Sequence, residues 1–248
     1  MAHAYLDDQL PTLAAGQTHR VSGNEAEHAV KVARLQVGEQ ITLLNGAGYS
    51  VPCEVTDTDK RSFTVRARDV GESIAPPALQ LTLVQALAKG GRDEQAVQAA
   101  VELGVDGIIP WQAKRSIVKW VPAKAAKQQE RWQTIAREAT KQSIRRWQPP
   151  VAALHSTNEV AALAADMRVL VLDPTATESL ATVSLPASGH VALVVGPEGG
   201  IASEELDALA SAGAIRVRLG NSIMRTSTAG PAAIATLLTR QDSWDTDR

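Results

Sequence analysis

Three carboxylates, Glu198, Glu204 and Glu205, fall close together in LVVGPEGGIASEEL (193–206), where an apolar run passes through Gly196, Pro197, Gly199 and Gly200 into an acidic stretch. Strand, glycine turn and helix in that order commonly cradle a phosphate on backbone N–H groups. The phosphate loop GxxxxGK[ST] needs a lysine, which GPEGGIAS lacks, and GxGxxG fails because Glu198 stands at its second glycine. With Ser203 as the expected N-cap, Glu204 and Glu205 fall in the first helical turn, where they suit the helix dipole and repel an anion. The stretch reads either as an ordinary tight turn or as a pocket for a neutral or cationic ligand held by backbone groups. A second loop, IRVRLGNSIMRTSTAGPAAIATLL, sets Gly220 and a run of small and hydroxyl residues between a strand and a helix. Two such turns at the carboxyl ends of neighbouring parallel strands would form one crevice.

The elements that must hold these loops follow from pattern. ITLLN, VPCEV and SFTVRARDV alternate like strands, broken by NGAG and TDTDK as turns, and predict a small β-rich domain. GESIAPPA (71–78) is the expected linker, giving domains over 1–72 and 73–248. Beyond it strands alternate with helices: LQLTLVQAL, a helix through DEQAVQAAVELG, GIIPW, helices near 123–143 and 157–165, RVLVL, HVALVVG, a helix from Ser203, IRVRLG and a helix near 227–240. That order predicts a mainly parallel sheet with helices on both faces. DSWDTDR is expected to fray.

Composition narrows the function. Cys53 is the only cysteine and the five histidines have no metal-ligand spacing, so no metal is expected. No run approaches the roughly 18 apolar residues of a membrane span, and MAHAYLDDQL does not look like a signal peptide, which makes the cytoplasm the expected compartment. The net charge is only −2, yet residues 111–150 carry ten Lys or Arg against Glu130 and Glu138. This stripe reads as a nucleic-acid footprint or as a solvated helix face. Trp111, Trp120, Trp132 and Trp147, interleaved with it, could stack on bases but better suit a core or a dimer seam.

ALAKGGRDEQAVQAAVELGVDGIIP, EATKQSIRRWQPP, LVVGPEGGIASEEL and LGNSIMRTSTAG together resemble the bacterial 16S ribosomal RNA uracil N3-methyltransferase family of the SPOUT class, over residues 79–240. EHAVKVARLQVGEQITLLNGAGYSVPCEV is similar to that family's PUA-like barrel. The resemblance implies an α/β C-terminal SPOUT domain with a deep trefoil knot and a mainly parallel sheet, preceded by a small N-terminal PUA-like β-barrel. It implies a homodimer that binds S-adenosylmethionine, a cation without phosphate, and acts on 16S ribosomal RNA or the small ribosomal subunit. By similarity the cofactor would meet Leu172, Val195, Gly196, Gly200, Leu219, Gly220, Ile223 and Met224. Where the family commonly reads LGPRILRTETA, this chain departs at Asn221, Ser222, Met224 and Ser227.

With that chemistry implied, Arg225 is the first candidate to stabilise charge on the uracil oxygens, and Glu198 a proton acceptor or a residue that orients its loop. Lys89, Arg92, Arg115, Arg145 and Arg146 would gather RNA phosphates, and His28 and Arg34 would touch RNA from the N-terminal domain. Other readings are an inactive RNA-binding SPOUT-like protein, a SPOUT methyltransferase for another base, and a Rossmann-type nucleotide enzyme, which the three glutamates disfavour.

Overall fold

The computed structural model describes residues 3–241; the DSWDTDR tail lies outside the described residues. The chain divides into two compact units, one reaching to Pro76 and including Thr140–Gln148, the other Pro77–Ala139 with the residues from Pro149 onward.

The first unit contains β1 (His3–Leu6), β2 (Thr18–Ser22), α1 (Asn24–Lys31), β3 (Gln40–Leu44), β4 (Tyr49–Asp59), β5 (Ser62–Ala67) and β6 (Glu72–Ser73). Its sheet runs β1-β3-β4-β5-β2 with β6 against β4, antiparallel except for β1 beside β3. Alternate residues of β4 and β5, including Val51, Cys53, Val55, Phe63 and Val65, point into one core with Ala26 and Ala29 of α1. TDTDK, expected as a turn, instead continues β4 to Asp59, because a register shift between Val55 and Asp57 absorbs the irregularity. Within the expected linker, Glu72 and Ser73 pair with β4 as β6. Residues 140–148 join this unit through specific ties. Lys141 Nζ lies 3.1 Å from both Glu25 oxygens, and the Gly48 N–H donates to the Arg146 carbonyl at 2.9 Å. Gly48 has φ of 96°, and a Cβ there would lie 2.7 Å from the Trp147 ring.

The second unit contains β7 (Leu79–Ala86), α2 (Arg92–Leu103), β8 (Gly107–Trp111), most of α3 (Pro122–Gln142), α4 (Thr157–Ala162), β9 (Arg168–Leu172), β10 (Gly189–Val195), α5 (Ser203–Ser211), β11 (Ile215–Val217) and α6 (Thr226–Arg240). The sheet is wholly parallel, ordered β11-β9-β10-β7-β8. The two-residue strand period sorts the core: Leu81, Leu83, Leu193 and Leu170 share one face with α2, α3 and α6, while Val84, Ala192, Val194 and Val171 share the other with Val160 of α4 and Leu209 of α5. A Cβ on Gly230 would lie 3.0 Å from Leu83 Cδ1 and 3.5 Å from Val195 Cγ2, so glycine lets α6 settle directly on β7 and β10. Trp111, Trp120 and Trp132 are core residues, the last two edge to face at 5.2 Å, so base stacking is excluded for these three.

Candidate functional site

The two loops read from the sequence do meet. The carboxyl ends of β9, β10 and β11 and the first turn of α6 enclose a cavity of about 510 Å³, the size of a small-molecule site. Its wall includes Leu172, Val195, Gly196, Gly200, Leu219, Gly220, Ile223 and Met224, together with Arg92, Glu198 and Arg225. Lys89 and Arg115 grip the first loop: the Lys89 N–H donates to Glu198 Oε1 at 3.2 Å and Arg115 Nη1 to the Gly199 carbonyl at 3.1 Å. His28 and Arg34 are exposed residues of the first unit, Arg34 with φ of 57°. Arg145 and Arg146 also belong to that unit. The Arg145 side chain is buried and so presents almost no surface to a phosphate, and Arg146 pairs with Glu72.

The glycines of the first loop answer mainly to the protein itself. A Cβ on Gly196 would come within 2.6 Å of Ile201 Cγ1, and Gly200 closes a turn with φ of 71°, its N–H bonded to the Pro197 carbonyl at 2.9 Å. Gly220 differs, because a Cβ there would meet no protein atom within 4 Å.

The electrostatics differ from the expectation. Ala202, not Ser203, is the N-cap of α5, and the buried Glu205 carboxylate accepts its N–H at 3.2 Å. The same carboxylate accepts the Lys114 N–H at 2.8 Å and the Thr157 hydroxyl at 2.7 Å. Glu204 turns outward to Lys114, whose hydrogen bond is the main force holding its pKa down at about 2. Of the three glutamates only Glu198 faces the cavity. A phosphate is nevertheless disfavoured at α5, because the anion position at its N-terminus is filled by the chain's own Glu205.

Glu198 is itself committed. Burial would raise its pKa, but hydrogen bonds from backbone N–H groups, Lys89 among them, and from Arg92 Nη1 at 3.0 Å outweigh it and leave the pKa below the usual value. Asp173, in the cavity wall after β9, follows the same logic: burial pushes its pKa up, while Thr175 and the Arg216 Nε at 2.6 Å bring it down further. Arg218 and Arg225 also line the cavity and form no ion pair among the described residues.

Sequence reasoning missed Asp173, Arg218, Thr226 and Gln85. A signal existed for two of them, an acidic residue directly after the RVLVL strand and one carboxamide inside the apolar run LTLVQAL. The expected basic stripe is broken up by its partners. Lys114, Arg131, Lys141 and Arg146 pair with Glu204, Glu94, Glu25 and Glu72, and the segment is shared between two units.

A parallel α/β unit with a cavity at its strand ends, and a second, β-rich unit, define a class: residues 75–238 match the RNA methyltransferase domain and residues 21–67 the RNA methyltransferase PUA domain. The chain is 39% identical over 254 residues to the ribosomal RNA small subunit methyltransferase E of Mycobacterium bovis, covering 99% of this chain and 94% of that protein. It is 30% identical to the protein of that name from Bacillus subtilis, covering 89% of each. The crystal structure of a ribosomal RNA small subunit methyltransferase E from Neisseria gonorrhoeae bound to S-adenosyl methionine is similar at a TM-score of 0.85 and 31% identity, over 97% of this chain and 98% of that one. The chain belongs to this ribosomal RNA small subunit methyltransferase E family.

Proposed function

We propose that this chain methylates N3 of a specific uridine in 16S ribosomal RNA with S-adenosylmethionine, acting in the cytoplasm as a homodimer whose second unit carries a deep trefoil knot. The observation that carries the reading is the cavity, in which apolar side chains from three strand ends and two loops surround a space whose nearby helix N-terminus already holds a carboxylate. These residues fit the cofactor. Leu172, Val195, Leu219, Ile223 and Met224 offer apolar contact to an adenine, Gly220 leaves its side-chain position open, and Glu198 and Asp173 suit a sulfonium better than a phosphate. When bound, S-adenosylmethionine supplies an electrophilic methyl group.

Uracil N3 bears a proton at neutral pH and lies on the Watson–Crick edge, so the target base must be unpaired or flipped. Arg225, exposed at the cavity wall without an ion pair among the described residues, would stabilise negative charge on the uracil oxygens as the N3 proton passes to water and N3 takes the methyl group. Glu198, ionised and bound by Arg92, is a weak proton acceptor and serves to tie the glycine loop to the segment after β7. Lys89, Arg92 and Arg115 lie on the segments gripping that loop and would meet phosphates flanking the base. Support for the knot comes from residues 178–183, which are bonded on one side to Arg218 after β11 and on the other to Arg240 of α6. Support for the dimer comes from apolar side chains left exposed in this unit, including Ile117, Val121 and Ile223.

Single-turnover methylation of small subunits, with cofactor affinity measured separately, tests the roles. Arg225→Ala is expected to slow the chemical step by about 10²-fold or more with cofactor affinity kept, as for loss of one charge-stabilising donor. Glu198→Gln is expected to weaken cofactor binding more than it slows transfer. Near-normal rates with Arg225→Ala would remove that residue from the chemistry.

A further inference from the structure

Gln85, near the end of β7, is fully buried, and its amide oxygen has no hydrogen-bond partner. Its Nε2 donates to the Ala86 carbonyl at 3.0 Å and to the Thr226 hydroxyl at 2.9 Å. Because Thr226 Oγ1 receives that hydrogen, its own is directed to its second partner, the Gly196 carbonyl at 2.9 Å. Three segments far apart in sequence thus meet at one point: the end of β7, the first residue of α6 and the residue at which the chain leaves β10 for the glycine loop. A leucine at position 85 would avoid the unpaired oxygen, so the carboxamide is a costly choice for stability alone. What an apolar side chain could not do is orient the Thr226 hydroxyl.

The orientation matters because of what Thr226 anchors. Among the described residues, the backbone groups of 219–224 make no hydrogen bonds, yet this segment forms one wall of the cavity. Ile223 is 83% exposed, so little packing holds the segment's far end before the helix begins at Thr226. We propose that Gln85 is a positioning residue for the cofactor site, acting through Thr226 to fix both the take-off of the glycine loop at Gly196 and the end of the 219–225 wall. The inference rests on the cofactor reading above and gives Gln85, which does not line the cavity, a role in affinity.

Calorimetric titration of S-adenosylmethionine into the full chain and its variants tests it, with thermal melts alongside. Gln85→Leu and Thr226→Val are each expected to weaken binding about tenfold, the scale of one missing hydrogen bond, and to melt within a few degrees of the unsubstituted protein. The double variant is expected to match the singles rather than their product, since both break one relay. Thr226→Ser, which keeps the hydroxyl, is expected to recover most of the affinity that Thr226→Val removes. Singles that bind within about twofold of the unsubstituted protein, or a double variant at the product of the two effects, would overturn the relay while leaving the cofactor reading intact. An unsubstituted protein that does not bind S-adenosylmethionine would overturn the cofactor reading and the relay with it.

Discussion

Gly196 and Gly220 are glycines of the same cavity wall, required for different reasons. Gly196→Ala forces a methyl group to within 2.6 Å of Ile201 Cγ1 in a packed turn, so the variant is expected to lose about 1–3 kcal/mol of stability in a denaturant titration. Gly220→Ala meets no protein atom within 4 Å, so its melting temperature is expected to stay unchanged or rise slightly while cofactor affinity falls. Equal affinity in Gly220→Ala would mean that the ligand does not approach that face. The glutamates divide in the same manner. Glu205 is a structural carboxylate serving three donors, whereas Glu198 connects the cavity wall to Arg92, and no spacing rule distinguishes the two.

At the scale of elements, acid should loosen the loops after β9 and β10 before it reaches the strands. Asp173 and Glu198 have folded-state pKa values below their ordinary 3.8 and 4.5. Groups shifted this way contribute stability that is fully present above the unfolded-state values and disappears as pH falls through the folded-state ones. The melting temperature of the second unit is therefore expected to decline below about pH 4.5, and a flat profile from pH 6 to 3 would contradict the assigned hydrogen bonds. In the first unit, burial pushes the Cys53 thiol up to about 11, so a thiol reagent at pH 8 is expected to label the chain only as β4 unfolds. The strands and helices of the second unit were legible in the sequence because period and punctuation are local, and the parallel sheet followed from their alternation. The β1, β2 and α1 segments were not, since their pairing with β3 and β5 brings together residues far apart in sequence. The cavity's apolar wall was reachable only through the resemblance to a family, and the hydrogen bond between Gln85 and Thr226, spanning 141 residues, lay beyond any local pattern.

At the scale of the molecule, the fold divides the basic stripe into paired and unpaired cations. The stripe looks continuous along the chain, yet several of its cations belong to ion pairs with distant glutamates, and Lys141 and Arg145 are buried. Among the described residues, Lys119, Lys124 and Lys127 are exposed and form no ion pair. Replacing these three together is expected to flatten the salt dependence of binding to small-subunit RNA, by up to about 0.7–0.9 in slope for each phosphate no longer neutralised, whereas Arg131→Ala should change it little. An unchanged slope in the triple variant would move the RNA surface elsewhere. The central claim is the reaction itself. Incubating the full chain with isotopically labelled S-adenosylmethionine and unmodified small ribosomal subunits, then identifying the labelled nucleoside by mass spectrometry, should yield 3-methyluridine; label in any other nucleoside, or none in the RNA, would contradict it.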